Sequence, residues 1–268
     1  MSVPSLDQSA SESAVVSRLR AAGCVFAEDE ARMIMSAAAD AAELEEMVER
    51  RVVGLPLEHV VGYAEFCGLR IEVDAEVFVP RRRTEALVRM AAELAPVRAA
   101  VVVDLCCGSG ALGVALAAAL DEVELYAADV DPAAVRCARR NVAPAGGEVY
   151  EGDLFAPLPV GLKGRVDVLL SNVPYVPTVE IELLPAEARD YEARVALDGG
   201  VDGLAVLRRV VAEAAEWLAP GGVLLFETSE RQADEAVAAV SGAGLLARVA
   251  TDDDLDATVI IASRPDTA

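Results

Sequence analysis

Apolar positions recur three to four residues apart through residues 14–22, 28–39 and 42–53, which predicts three helices. Gly23 and Gly54 stand where helices should stop, and Pro56 can open a further short helix, because its fixed φ suits a first turn. The pattern changes over residues 64–79. There Phe66, Leu69, Ile71, Val73, Val77 and Phe78 predict two short strands around Asp74-Ala75-Glu76, a hairpin joining the helical part to the rest of the chain. From residue 84 helices and strands alternate. Helices are predicted at 84–94, 111–120, 132–141, 204–218 and 231–241, and strands at 99–105, 124–129, 148–152, 166–172, 223–227 and 258–263. Strands this uniformly apolar are buried on both faces, so the pattern predicts a parallel sheet covered by helices on each side. The chain therefore divides into a small helical N-terminal domain at residues 1–63, a β-hairpin linker at 64–80 and an α/β domain at 81–268. Ligands of such sheets sit at the carboxyl ends of the strands, and that is where the candidate chemistry falls.

Composition narrows the classes. Hydrophobic residues make up 54% of the 268, enough for a sizeable core. No run reaches the ~18 uncharged apolar residues of a membrane span. The first twenty or so residues lack a basic start followed by an apolar block, so no secretory signal is expected. Lys+Arg 23 against Asp+Glu 45 gives a net charge of −22, which opposes direct nucleic-acid binding, since that affinity comes largely from neutralised phosphates. Five cysteines without a C-x-x-C pair point to a reducing, cytoplasmic home. The one histidine, His59, lies in an apolar stretch and reads as structural. The inventory supplies neither a zinc ligand set nor a histidine-based triad, so no metal is expected.

Four motifs carry chemistry. Strand 99–105 runs into Asp104-Leu-Cys-Cys-Gly108-Ser-Gly110 and then a helix, and Gly108 and Gly110 let a ligand approach the backbone. The segment from Gly108 to Gly113 spells the G-x-G-x-x-G of dinucleotide sites, a weak signal alone. The acid four residues before Gly108 would repel a pyrophosphate and can accept from an ammonium group, which favours S-adenosylmethionine over a nicotinamide dinucleotide. An ordinary strand–helix turn is the bland alternative. Asp129 ends the next strand, where an acid can take both ribose hydroxyls of either ligand, while Asp131 caps the helix that Pro132 begins. Asp153, after the third strand, can accept from an adenine amine with Leu154 against the ring, or be a plain loop aspartate. Asn172-Val173-Pro174-Tyr175 ends the fourth strand. There the Asn172 side-chain oxygen and the Val173 carbonyl can both accept from one NH2 group, Pro174 restricts the backbone before it, and Tyr175 offers a flat wall. Two acceptors on its hydrogens raise the electron density of a conjugated nitrogen and orient it without a general base.

On these motifs the chain resembles the protein-(glutamine-N5) methyltransferase family, which methylates the Gly-Gly-Gln glutamine of peptide chain release factors. The resemblance runs from about residue 56 to the end. It includes Pro56-Leu-Glu-His-Val-Val-Gly62, Glu65-Phe66, Phe78-Val-Pro-Arg81, Thr84-Glu85, the four motifs above, Tyr191-Glu192, Ala196-Leu-Asp-Gly-Gly200 and Asp202-Gly-Leu204. Residues 1–62 match the family's N-terminal domain in kind. The resemblance implies a small helical domain, a hairpin linker and a seven-stranded Rossmann-like class I methyltransferase domain. It implies S-adenosylmethionine held by Asp104, Cys106, Gly108, Gly110, Asp129, Val130, Asp153, Leu154 and Asn172, with Asn172, Val173, Pro174 and Tyr175 forming the catalytic motif. The implied partner is a release factor; no membrane and no direct nucleic-acid contact are expected.

Three departures stand out. Val173 replaces a proline of Asn-Pro-Pro-Tyr, Arg82 and Arg83 replace a proline and an acid, and Cys106 stands at the usual first glycine of the loop. They leave open the same chemistry on another protein, a peptide or a small amide, or on an exocyclic base amine, and also a binding protein without turnover.

Overall fold

The computed structural model describes residues 6–265. Helices α1 (Leu6–Ala21), α2 (Ala27–Ala37), α3 (Ala41–Val52) and α4 (Leu57–Val61) come first. Their apolar stripes meet in a core of their own, built on Leu19, Ala31, Ile34 and Val48. Gly23 and Gly54 take positive φ at the ends of α1 and α3. Asp40 caps α3 by accepting from the amides of Ala42 and Glu43.

Strands β1 (Tyr63–Phe66) and β2 (Leu69–Glu72) form an antiparallel hairpin. Its turn is Cys67-Gly68, not the expected Asp74-Ala75-Glu76. Both Cys67 and Gly68 take positive φ (50° and 74°), as a tight hairpin turn needs. The Glu85 carboxylate accepts from the Cys67 amide at 2.9 Å and ties the turn to helix α5 (Glu85–Leu94). Residues 74–76 make a separate turn, after which Glu76 pairs with Glu192 far along the chain.

The remaining strands are β3 (Ala100–Leu105), β4 (Val123–Asp129), β5 (Glu148–Glu151), β6 (Val166–Ser171), β7 (Leu218–Thr228), β8 (Leu246–Asp252) and β9 (Ala257–Ser263). They form one seven-stranded sheet in the order β5-β4-β3-β6-β7-β9-β8. Five strands are parallel, as expected. β9 runs antiparallel between β7 and β8, so the sheet is mixed rather than parallel. β8 escapes the sequence reading because it is an edge strand: Arg248 and Asp252 interrupt its apolar positions, and Leu246 stays 63% exposed.

Helices α6 (Ala111–Ala119), α7 (Pro132–Val142), α10 (Ala205–Trp217) and α11 (Ala233–Gly242) cover the sheet with α5, and two short helices, α8 (Ala186–Tyr191) and α9 (Arg194–Leu197), follow β6. Side chains alternate across a strand, so β3 sends Val101, Val103 and Leu105 into one core and Ala100 and Val102 into the other. The first core packs on α10 and α11, where Trp217 stacks on Phe155 with ring centroids 5.2 Å apart. The second packs on α5 and α6 and takes in Phe66 and Ile71 of the hairpin. Each fully buried Val, Leu, Ile or Phe among them contributes about 1.5–3 kcal/mol.

Candidate active site

The loop after β3 has little freedom. Cys106, Gly108 and Gly110 all take positive φ (55°, 55° and 79°). A Cβ on Gly110 would lie 2.9 Å from the Val142 side chain of α7, so close helix packing, as well as backbone shape, selects glycine there. Asp104 is fully buried beneath the loop. Its Oδ2 accepts from the Gly113 amide at 2.8 Å, while Oδ1 has no partner. Burial pushes its pKa up to about 8. Asp129 braces the loop from the next strand, accepting from the amides of Gly108 (2.8 Å) and Asp131 (2.9 Å). Burial raises its pKa too.

Two cavities open over the carboxyl ends of the strands. The first, of about 390 Å³, is lined by Cys106, Gly108, Asp129, Val130, Asp153, Leu154, Asn172 and Pro174 among the residues expected from sequence. The second, of about 350 Å³, is lined by Asn172, Val173, Pro174 and Tyr175. Asn172 and Pro174 line both, together with Phe78, Arg81 and Ala196. Asp104 and Gly110 line neither; they support the loop from below. Asn172 Oδ1 is buried without a hydrogen-bond partner. An orphaned acceptor of this kind is costly unless a ligand satisfies it.

The first cavity fits an elongated nucleoside-bearing ligand in size, since small-molecule sites run ~300–1,000 Å³. Its chemistry fits as well: a glycine loop for close approach, the Asp129 carboxylate in the lining, and Asp153 with Leu154. S-adenosylmethionine has the matching groups.

The Asn-Val-Pro-Tyr segment is clamped from behind. Val176 donates to the Leu197 carbonyl, Gly199 to the Val176 carbonyl, and Gln232 Nε2 to the Tyr175 carbonyl at 3.0 Å. A Cβ on Gly203 would fall 2.2 Å from that same carbonyl oxygen, which accounts for the glycine in Asp202-Gly-Leu204. Glu192, whose side chain is fully buried, accepts from the Val79 amide and from Arg81, and Arg81 in turn lies over the Phe78 ring. This fixes the rim shared by the cavities.

Several residues at the site have no role in the sequence reading. Arg209 of α10 pairs with Asp153 at 2.6 Å and lines the first cavity. Glu227, at the carboxyl end of β7, accepts from the Tyr175 hydroxyl at 2.9 Å, from Arg83 Nε at 2.7 Å and from Thr84 at 2.7 Å. An acid at a strand's carboxyl end was the available signal for Glu227. Arg209 sits on a helix and left none. His59 donates from Nε2 to the Val77 carbonyl at 2.8 Å, a structural contact, and lines neither cavity. Burial pushes the Cys106 and Cys107 thiols above their ordinary pKa, which disfavours the thiolate form.

Comparison with known proteins places the chain in a family. A family model, the Methyltransferase small domain, matches residues 69–190. The chain is 42% identical over 200 residues to a release factor glutamine methyltransferase of Geobacter sulfurreducens, covering 74% of this chain and 69% of the relative. It is 40% identical over 215 residues to that of Mycolicibacterium smegmatis, covering 80% and 76%. A 4-amino-L-phenylalanine/4-methylamino-L-phenylalanine methyltransferase of Streptomyces pristinaespiralis is 38% identical over 191 residues, covering 69% and 65%. Among solved structures, a methyltransferase from Pyrococcus furiosus superposes with a TM-score of 0.56 at 17% identity, over 74% of this chain and 90% of that one. That likeness concerns the fold.

Proposed function

The chain belongs to the release factor glutamine methyltransferase family, and on that premise we propose that it methylates the side-chain amide nitrogen of the Gly-Gly-Gln glutamine in a release factor. S-adenosylmethionine is the methyl donor; when bound, it supplies an electrophilic methyl group. Asp129, Asp153 and Leu154 would hold its nucleoside half, and the loop at Cys106, Gly108 and Gly110, over Asp104, its amino-acid half, with Val130 at the edge. The observation that carries the reading is Asn172 Oδ1, buried and unpartnered at the junction of the two cavities. Asn172 Oδ1 and the Val173 carbonyl accept the two N–H bonds of the glutamine amide. Pro174 restricts the turn, and the Tyr175 ring flanks the amide plane. No residue need take the proton before transfer, because a preorganised pair of acceptors favours the positive charge that grows on nitrogen.

The division at residues 63 and 80 belongs to the same proposal, with the helical unit forming part of the acceptor wall through Pro56 and Glu58. So does a cytoplasmic setting, where release factors work; among the described residues no helix is long and apolar enough to cross a membrane. The test is mass spectrometry of a release factor incubated with the protein and S-adenosylmethionine. One methyl group on the Gly-Gly-Gln glutamine supports the proposal; an unmodified factor, with cofactor binding confirmed, refutes it.

A second reading, a small amine as acceptor, draws on the likeness to the 4-amino-L-phenylalanine methyltransferase and on Arg83 lining the acceptor cavity. A higher kcat/KM on free 4-amino-L-phenylalanine than on the release factor would put it first.

A further inference from the structure

Tyr175 is held at both ends. Its carbonyl accepts from Gln232, and its hydroxyl sits between Glu227, to which it donates, and Arg83 Nη2, from which it accepts. Glu227 is only 3% exposed, while the Arg83 side chain is half-exposed in the acceptor cavity. A buried carboxylate needs a compensating charge, and Arg83 supplies it at 2.7 Å, with Thr84 on the second oxygen. The three groups come from three places in the chain: the turn before α5, the end of β6 and the end of β7. Arg83 is also one of the positions where this chain departs from the family pattern. An acid there would set two carboxylates against each other and leave the tyrosine hydroxyl without its second partner.

We propose that Arg83 and Glu227 form a strap that fixes the Tyr175 ring as one wall of the acceptor slot, so that Arg83 tunes acceptor recognition in this chain. Both are positioning residues acting through Tyr175. The strap rests on the reading of the second cavity as the acceptor site. Arg83, Tyr175 and Glu227 do not line the first cavity; of the groups bound to Glu227, Thr84 alone does. Burial beside Glu227 pushes the Tyr175 hydroxyl up to about 12, so it remains the donor to that carboxylate at any working pH.

The experiment compares the wild type with Arg83→Gln, Tyr175→Phe, the double variant, Glu227→Gln and Glu227→Ala, using a release factor as acceptor. Arg83→Gln and Tyr175→Phe should each lower kcat/KM about tenfold, mainly through acceptor KM, with cofactor Kd unchanged within about twofold. The double variant should lose no more than the worse single one, since either change releases the same ring. Glu227→Gln keeps neutral hydrogen bonds and should lose less than Glu227→Ala. Losses that multiply in the double variant, or a cofactor Kd that rises in step, would overturn the strap. A second readout needs no turnover: the Cζ resonance of carbon-13-labelled Tyr175, identified by its absence in Tyr175→Phe, should move in Arg83→Gln. An unmoved resonance overturns the strap. A moved resonance in a protein that leaves release factors unmodified overturns the acceptor reading and leaves the strap standing.

Discussion

Asn172 and Asp104 are the two residues at the site with a buried oxygen left unpaired, and they fail differently when changed. Asn172→Ala removes one of the two acceptors we propose for the substrate nitrogen, and nothing in the fold leans on that oxygen. Single-turnover rates should fall by ~10²–10³, while calorimetry should find cofactor affinity largely intact. Unchanged turnover would remove Asn172 from the mechanism. Asp104 is different because its carboxyl, raised to about 8 by burial, stays protonated in the ligand-free fold where the unfolded chain has already ionised. The native state then holds the extra proton, so this group's contribution to stability is full below about pH 4 and is lost as pH rises toward 8. Asp104→Asn, neutral and of the same shape, should flatten that decline in melts taken from pH 5 to 9 and should weaken cofactor binding. A wild-type slope that persists in the variant would exclude Asp104 as its source.

Elements are positioned by contacts that sequence periodicity does not report. Helix α6 approaches α7 closely enough that the Gly110 Cα faces Val142, and the loop over which the cofactor would lie depends on that approach. Gly110→Ala adds both a clash and a strained positive φ. It should lower unfolding free energy by ~1–3 kcal/mol in urea titrations and weaken cofactor binding with it. Loss of neither would mean that the loop adapts. The hairpin shows the same thing. Its strands are legible from Phe66, Leu69 and Ile71, but its turn is not, because Asp-Ala-Glu looks more like a turn than Cys67-Gly68 does. Glu85, eighteen residues on, holds the Cys67 amide and helps to seat the turn where it is.

On the scale of the molecule, Arg51 links the helical unit to the rest. It is 8% exposed, pairs with Glu30 within that unit at 2.6 Å, and pairs with Glu187 of α8 at 2.6 Å, while Tyr191 donates to the Val53 carbonyl nearby. Glu187 lines the second cavity, so this link shapes the slot proposed for the acceptor. Arg51→Ala leaves a buried carboxylate alone and should destabilise the protein by about 3 kcal/mol. It should also raise hydrogen exchange across α8. Unaltered exchange there would show that α8 is held from the sheet side alone. With a net charge of −22, recognition of the acceptor is expected to rest on this slot and its rim rather than on attraction to nucleic acid.

Local sequence pattern is enough for the order of the strands and helices in the α/β part apart from β8 and the short α8 and α9, for the loop with its two acids, and for the Asn-Val-Pro-Tyr motif. These are local: apolar periodicity, turn residues and strand ends are set by neighbours a few positions apart. Long-range packing sets the antiparallel run of β9 between β7 and β8, the place of Asp104 under the loop instead of in the cleft, and the meeting of Arg83, Tyr175 and Glu227. Contacts between distant segments, 52 to 144 positions apart for Arg83, Tyr175 and Glu227, leave no period in the chain for a sequence reading to find.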